Sequence, residues 1–192
     1  DSTGVGRANL TLGAPSGITT GTNSGGNLLL AGHNVDVLLG SVTMQGAARV
    51  GTQTNIVTFD TGTLDVYSIN MTAKTAGGLL DDTVTIGGGV FNVGLGGVYL
   101  GAASSGLTQN GQLNLNGGVT TINGNVTQGG GTGTRALNVA GGTLDLAGNA
   151  IGQFTTAYVN GTNLNVTLNG QSGTIQNVGS INGNLGLDRK SV

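Results

Sequence analysis

Apolar and polar residues alternate along this chain in runs of only three to five positions, and glycine pairs separate the runs. The clearest example is Leu113-Asn114-Leu115-Asn116-Gly117-Gly118-Val119-Thr120-Thr121-Ile122-Asn123-Gly124-Asn125. It returns 24 residues later as Leu137-Asn138-Val139-Ala140-Gly141-Gly142-Thr143-Leu144-Asp145-Leu146-Ala147-Gly148-Asn149. A period of two puts alternate side chains on one face of a strand, and the Gly pairs supply the positive φ of a tight corner. Each block therefore predicts strand, Gly-Gly corner, strand, Gly-Asn corner. A unit this short cannot bury its apolar face alone, so copies must stack.

The rhythm extends in both directions. Phe91-Asn92-Val93 with Gly96-Gly97-Val98-Tyr99-Leu100 reads as an earlier copy, Leu164-Asn165-Val166 opens a later one, and Ile181-Asn182-Gly183-Asn184 repeats the Ile122 to Asn125 corner. The apolar-Asn-apolar triplets start at residues 91, 113, 137 and 164, in steps of 22, 24 and 27. Upstream, Leu10-Thr11-Leu12, Val35-Asp36-Val37, Val42-Thr43-Met44, Ile56 to Phe59, Leu64-Asp65-Val66, Ile69-Asn70-Met71 and Val84-Thr85-Ile86 continue the series without a helical period. The expected fold is all-β, a single-domain parallel β-solenoid (β-helix) over residues 1–192, with its clearest repeats at 84–187 and about eight irregular coils. At the spacing of paired strands this is a rod roughly 40 Å long.

In such a rod Leu113, Leu115, Leu137 and Val139 stack inward. Asn92, Asn114, Asn138 and Asn165 point outward, where in-register amides would form a ladder, unless Asn merely tolerates solvated strand positions. The two ends of a solenoid offer unpaired strand edges, and no amphipathic capping helix is visible at either. Leu10, Leu12, Leu185 and Leu187 are therefore the expected end-to-end contacts, pairing with another subunit or with further coils of a longer chain. Loops such as Gly17–Gly26 folding over an end are the alternative.

Composition narrows the class. The chain holds 40 Gly, no Cys, no Trp and 7% charged residues, and its eight acids are all Asp. With no Glu and two Lys there is little material for a solvated helix face, whereas Thr, Val, Asn and Gly suit strands and turns. A hydrophobic fraction of 36% and no three-residue period set it apart from disordered or collagen-like glycine-rich chains. A net charge of −2 provides no basic field for nucleic acid or an anionic membrane, and no apolar run reaches the ~20 residues of a membrane span. The Cys-free composition suits an exported bacterial protein, and a chain that begins with Asp1 is expected to be processed or partial.

Leu137 to Ala150 resembles the autotransporter-associated β-strand repeats of bacterial surface and secreted proteins. Asn27-Leu28-Leu29-Leu30-Ala31-Gly32 with Val35-Asp36-Val37 is similar to haemagglutinin-like exoproteins. The resemblance covers about residues 84–187. It implies an exported right-handed parallel β-helix acting as adhesin, stalk or surface fibre, with no catalytic residues common to the families and no anchoring barrel in this chain.

Candidate chemistry is sparse. His33 with Asp36 lacks the third converging group of a nucleophilic triad and reads as a solvated turn. Asp81-Asp82, with Asp60 and Asp65, offers hard oxygens for calcium, but the Gly-Gly-x-Gly-x-Asp repeat of calcium β-rolls is absent. Asp36, Asp65 and Asp145 each sit between apolar residues, as outward strand positions do, so they do not form the clustered carboxylates of a glycan-cleaving groove. The Thr-x-Thr pairs do not recur once per coil, and the Asn-x-Ser/Thr sites at Asn9, Asn70, Asn125, Asn160 and Asn165 match chance in so Asn- and Thr-rich a chain. The reading is a non-enzymatic extracellular or cell-surface structural protein of bacterial type, with no cofactor, no catalytic set and no metal site. Its expected partner is itself; a glycan-binding adhesin tip, using outward Asn, Asp and Tyr, and a β-helix polysaccharide-degrading enzyme are the rivals.

Overall fold

A computed structural model describes residues 5–13, 25–46, 51–71, 78–101, 108–129, 133–154, 165–169, 173–181 and 184–188; of residues 153–154, 165–169 and 184–188 it describes the backbone alone. The strands in chain order are β1 (Ala8–Leu12), β2 (Asn27–Leu29), β3 (Asn34–Met44), β4 (Gln53–Phe59), β5 (Thr61–Met71) and β6 (Leu79–Ile86). They continue with β7 (Val90–Leu100), β8 (Thr108–Leu115), β9 (Val119–Ile122), β10 (Val126–Gln128), β11 (Arg135–Val139) and β12 (Thr143–Asp145). The last are β13 (Ala150–Phe154), β14 (Asn165–Asn169), β15 (Thr174–Gln176), β16 (Ser180–Ile181) and β17 (Asn184–Asp188).

The chain winds between two sheets. The first runs β1-β3-β5-β7-β10-β13-β16, with β9, β12 and β15 extending the part of the stack begun by the first half of β7. The second runs β17-β14-β11-β8-β6-β4-β2. Every pairing is parallel, because each strand meets the strand one coil away. The protein is all-β among the described residues, with no helix, and its sheets stack as a β-solenoid.

About four turns, from β3–β4 to the coil ending in β11, bury apolar side chains on both faces, and the expected count of about eight coils is not supported. The reason lies in the period. Register advances by 27 residues from Val37 to Leu64 and from Leu64 to Phe91, then by 29 to Thr120 and 24 to Leu144. Only the 113/137 step has the short period; the 91-to-113 step of 22 joins strands on opposite sheets.

Between the sheets lies a dry core. Leu64, Phe91 and Leu144 form one column, interrupted by a buried Thr120; Val57, Val84, Leu113 and Leu137 face them from the second sheet. Burying one such side chain is worth about 1.5–3 kcal/mol, so the stack rather than any single coil holds the fold together.

From the second sheet back to the first, the chain turns on glycine. Gly89, Gly118 and Gly142 sit at the same corner of successive coils with φ of 69°, 72° and 69°. The next residue's N–H donates to the carbonyl of the glycine one coil below: Val119 to Gly89, Thr143 to Gly118 and Thr174 to Gly142, each at 2.9 Å. A Cβ on Gly118 would lie 2.3 Å from the Gly89 oxygen, and one on Gly142 would lie 2.3 Å from the Gly118 oxygen. Both the φ and the close approach require glycine here.

Candidate functional site

The expected amide ladder forms only in part. Asn114 and Asn138 are in register on the outer face of the second sheet, and the Asn138 Nδ2 donates to the Asn114 Oδ1 at 2.7 Å. Asn92 lies on the other sheet, beside Asp65 and Thr121. Asn165 pairs with Ala136, and it is Thr167 that stands beside Asn138. A four-asparagine ladder is therefore corrected to one amide pair. Similar apolar-Asn-apolar triplets occur on both sheets, and a strand's own pattern does not say which sheet it joins.

Leu10 and Leu12 lie on β1, the edge strand of the first sheet; Leu12 is buried and Leu10 half-buried. Leu185 and Leu187 lie on β17, the edge strand of the second sheet, and pair with Val166 and Leu168. The four residues thus occupy edge strands at opposite ends of the stack. Most of the Gly17–Gly26 loop lies outside the described residues.

The aspartates disperse. His33 is exposed in a turn whose Gly32 N–H donates to both Asp60 carboxylate oxygens at 2.9 Å. Asp65 pairs with Arg7 at 2.6 Å on the first sheet's outer face, and that guanidinium also donates to the Leu39 carbonyl at 3.3 Å. Asp81 and Asp82 point to opposite faces of β6, and Asp81 accepts from Asn110 at 2.5 Å. Among the described residues no three His, Cys, Asp or Glu side chains gather to hold a metal. Asp145 folds into a turn: its carboxylate accepts from the backbone N–H of Ala147 and from the amides of Gln176 and Asn177, each at 2.8 Å. The Ala147 N–H chiefly, helped by those amides, holds the Asp145 carboxyl below the usual range.

Three glycan-acceptor candidates have structural partners. The Asn9 side-chain oxygen takes the Ser41 N–H, that of Asn125 takes the Ala150 N–H, and the Asn70 amide donates to Ser68 Oγ. Asn160 lies outside the described residues. Phe59 and Phe91 are core, while Tyr67 and Tyr99 are half-buried on the first sheet.

The polar chemistry sits inside. In the second sheet, Asn55 of β4, Asp82 of β6, Gly111 of β8 and Arg135 of β11 occupy one inward-facing register position. Asn55 and Asp82 are 0% exposed and Arg135 is 1% exposed, with Gln53 and Gln109 buried beside them. Asn55 Nδ2 donates to Asp82 Oδ1 at 2.8 Å and to the Gln45 carbonyl at 3.1 Å, while its oxygen takes the Gly26 N–H at 2.9 Å. Gln109 Nε2 donates to the Met71 carbonyl at 3.1 Å and reaches Asp82 Oδ2 at 3.5 Å. Arg135 donates to the Gly133 carbonyl at 3.2 Å.

Burial dominates the electrostatics here. Desolvation pushes the Asp82 carboxyl up to about 7, against the lowering effect of the Asn55 and Gln109 amides and with a small further rise from Asp81. Desolvation also lowers the Arg135 guanidinium below its ordinary value. Nothing in the sequence reading singled out this column. A signal was present in strand parity: Gln53, Asn55, Val57 and Phe59 alternate in phase, as do Leu80, Asp82, Val84 and Ile86, so the polar members share the core face.

Comparison with protein-family models, curated proteins and solved structures finds no match.

Proposed function

We propose that this chain is a non-enzymatic structural solenoid of a bacterial cell surface or exported fibre, a rod segment extended by strand addition at its ends. The observation that carries this reading is the open first end of the core. β1 begins its pairing at Leu39, so the Asn34–Leu38 part of β3 has a partner strand on the β5 side alone among the described residues. Leu10, Leu28, Leu30, Val35, Val37 and Leu39 pack on the core yet remain partly exposed, whereas Leu64 and Val66, the register partners of Val37 and Leu39, are 1% exposed. An unsealed apolar column beside free strand edges suits β-augmentation by the next coil, whether from a second copy or from a longer chain. The surface-repeat resemblance of residues 84–187 supports the same reading. The dispersal of Asp36, Asp60, Asp65, Asp81 and Asp145 into separate settings gives no support to a polysaccharide-cleaving groove.

The test is sedimentation velocity with negative-stain electron microscopy, run on the wild type and on Val37→Asp, which places a charge at the open column. Association in the wild type and its loss in the variant are expected. A wild type that stays monomeric at high concentration overturns self-assembly. Release of reducing or unsaturated ends from a polysaccharide overturns the structural reading, and selective binding on a glycan array shifts it to the adhesin tip.

A further inference from the structure

The solenoid keeps an acid inside its core without a cation to match it. Asp82 is 0% exposed, and its two oxygens receive one short hydrogen bond, from Asn55 at 2.8 Å, and one at the outer limit, from Gln109 at 3.5 Å. An ionised carboxylate has about four acceptor sites and loses heavily on leaving water, so two amides compensate it poorly. Its neighbours supply no charge. From β4 it meets Asn55, with Gln53 in the next inward position; from β8 it meets Gln109 and Gly111; from the first sheet the Met71 and Gln45 carbonyls lie on the same amides. Asp81 is adjacent in sequence but faces outward. Arg135 shares the column beyond Gly111, two strands and so about 10 Å away. Arg49 and Lys74 belong to segments 47–50 and 72–77, outside the described residues.

The same cluster ties elements together. Through Asn55 it joins the carbonyl of Gln45 to Gly26 and to β6, and through Gln109 it joins β6 and β8 to the end of β5. We propose that Asn55, Asp82 and Gln109 form a proton-operated lock: neutral Asp82 holds β4, β6 and β8 together at this corner of the coil, and ionisation loosens them. Burial already drives the Asp82 carboxyl into the neutral range, so the lock works between mildly acidic and mildly alkaline pH. For an acid whose folded-state pKa lies above its unfolded value, stability is full below the unfolded value. It declines as pH climbs toward the folded value and levels off above it.

The experiment is thermal unfolding of the whole chain from pH 5 to 8.5 for the wild type, Asp82→Asn and His33→Gln, joined to a carboxyl-carbon NMR titration of wild-type Asp82. The wild type should lose on the order of 10 °C of Tm across the range. Asp82→Asn, which carries a permanently neutral amide, should flatten the profile; His33→Gln should leave it unchanged. The Asp82 resonance should titrate near neutrality, and hydrogen exchange of the Leu80 to Thr83 amides, corrected for intrinsic base catalysis, should quicken above that midpoint. A midpoint near 4, or a pH profile that Asp82→Asn retains, overturns the proposal. Should Asp82→Asn fail to fold, the NMR midpoint and exchange profile of the wild type decide it alone.

Discussion

The two corners of each coil solve the same problem in opposite ways. At the glycine corner the chain reverses in two or three residues, and Gly89, Gly118 and Gly142 repeat one backbone conformation through successive coils. No side chain takes part, and the backbone carbonyl of one coil receives the N–H of the next. At the other corner, where the first sheet ends at Met44, Met71, Leu100 and Gln128, the second sheet begins at Gln53, Leu79, Thr108 and Arg135. There the inward residues are amides, an acid and a guanidinium, and side chains reach between strands to satisfy backbone carbonyls. A tight corner can be sealed by backbone alone, whereas a wider one leaves buried backbone groups that side chains must satisfy. The glycine corner tolerates no Cβ; the polar corner tolerates many residue types but has a protonation state.

Substitution at the glycine corner gives the largest expected effect. Gly118→Val imposes a left-handed φ on a β-branched residue and drives a Cβ against the Gly89 carbonyl. A loss on the order of 5 kcal/mol is expected, read as a collapse of the urea midpoint or as failure to fold.

Next comes the polar corner at alkaline pH. Between the ordinary carboxyl value of 3.8 and about 7, burial costs the ionised Asp82 roughly 4 kcal/mol. Asp82→Asn should therefore raise stability by up to that amount at pH 8.5 and have little effect at pH 5, where the wild-type acid is already neutral. Paired urea titrations at the two pH values measure the difference. If the variant is destabilised equally at both, the corner is held by the shape of the residue and not by its proton.

Arg135→Met keeps the aliphatic stem and removes a buried charge that is not salt-bridged to Asp82. Replacing such a charge by an apolar side chain of similar volume is expected to change stability by less than about 1 kcal/mol or to raise it. Chemical denaturation decides the sign, and a loss of several kcal/mol would make Arg135 an essential tie of this corner.

The smallest effect belongs to the outer face, which seals neither corner. Asn138→Ala removes the single amide pair with Asn114 and should cost about 0.5–1.5 kcal/mol by differential scanning calorimetry. Asp145→Ala, which removes the acceptor of the Ala147, Gln176 and Asn177 donors, should blunt a loss of stability that sets in only as pH falls through the depressed pKa of that carboxyl.

Much of this architecture is written in local pattern. Alternation at Leu113 to Leu115 and Leu137 to Val139, with Gly-Gly between strands, sufficed for parallel stacked strands because each strand must bury one face and each corner needs positive φ. The register Leu113 to Leu137 follows from the 24-residue repeat itself. Parity also placed Asp65 and Asp145 outward, where both are found.

Tertiary structure decided the rest. Phe91-Asn92-Val93 and Leu113-Asn114-Leu115 look alike, yet they lie on opposite sheets, because period-two alternation marks the two faces of a strand without naming its neighbour. Coil length depends on the segments at the wide corner, whose sequences carry no repeat, and so the step grew to 27 and 29 residues where a shorter one was expected. The buried state of Asn55, Asp82 and Arg135 emerged only when stacking brought their strands into register. Composition favours polar residues at the surface, and an enclosed core with partners for their donors is a property of several coils together.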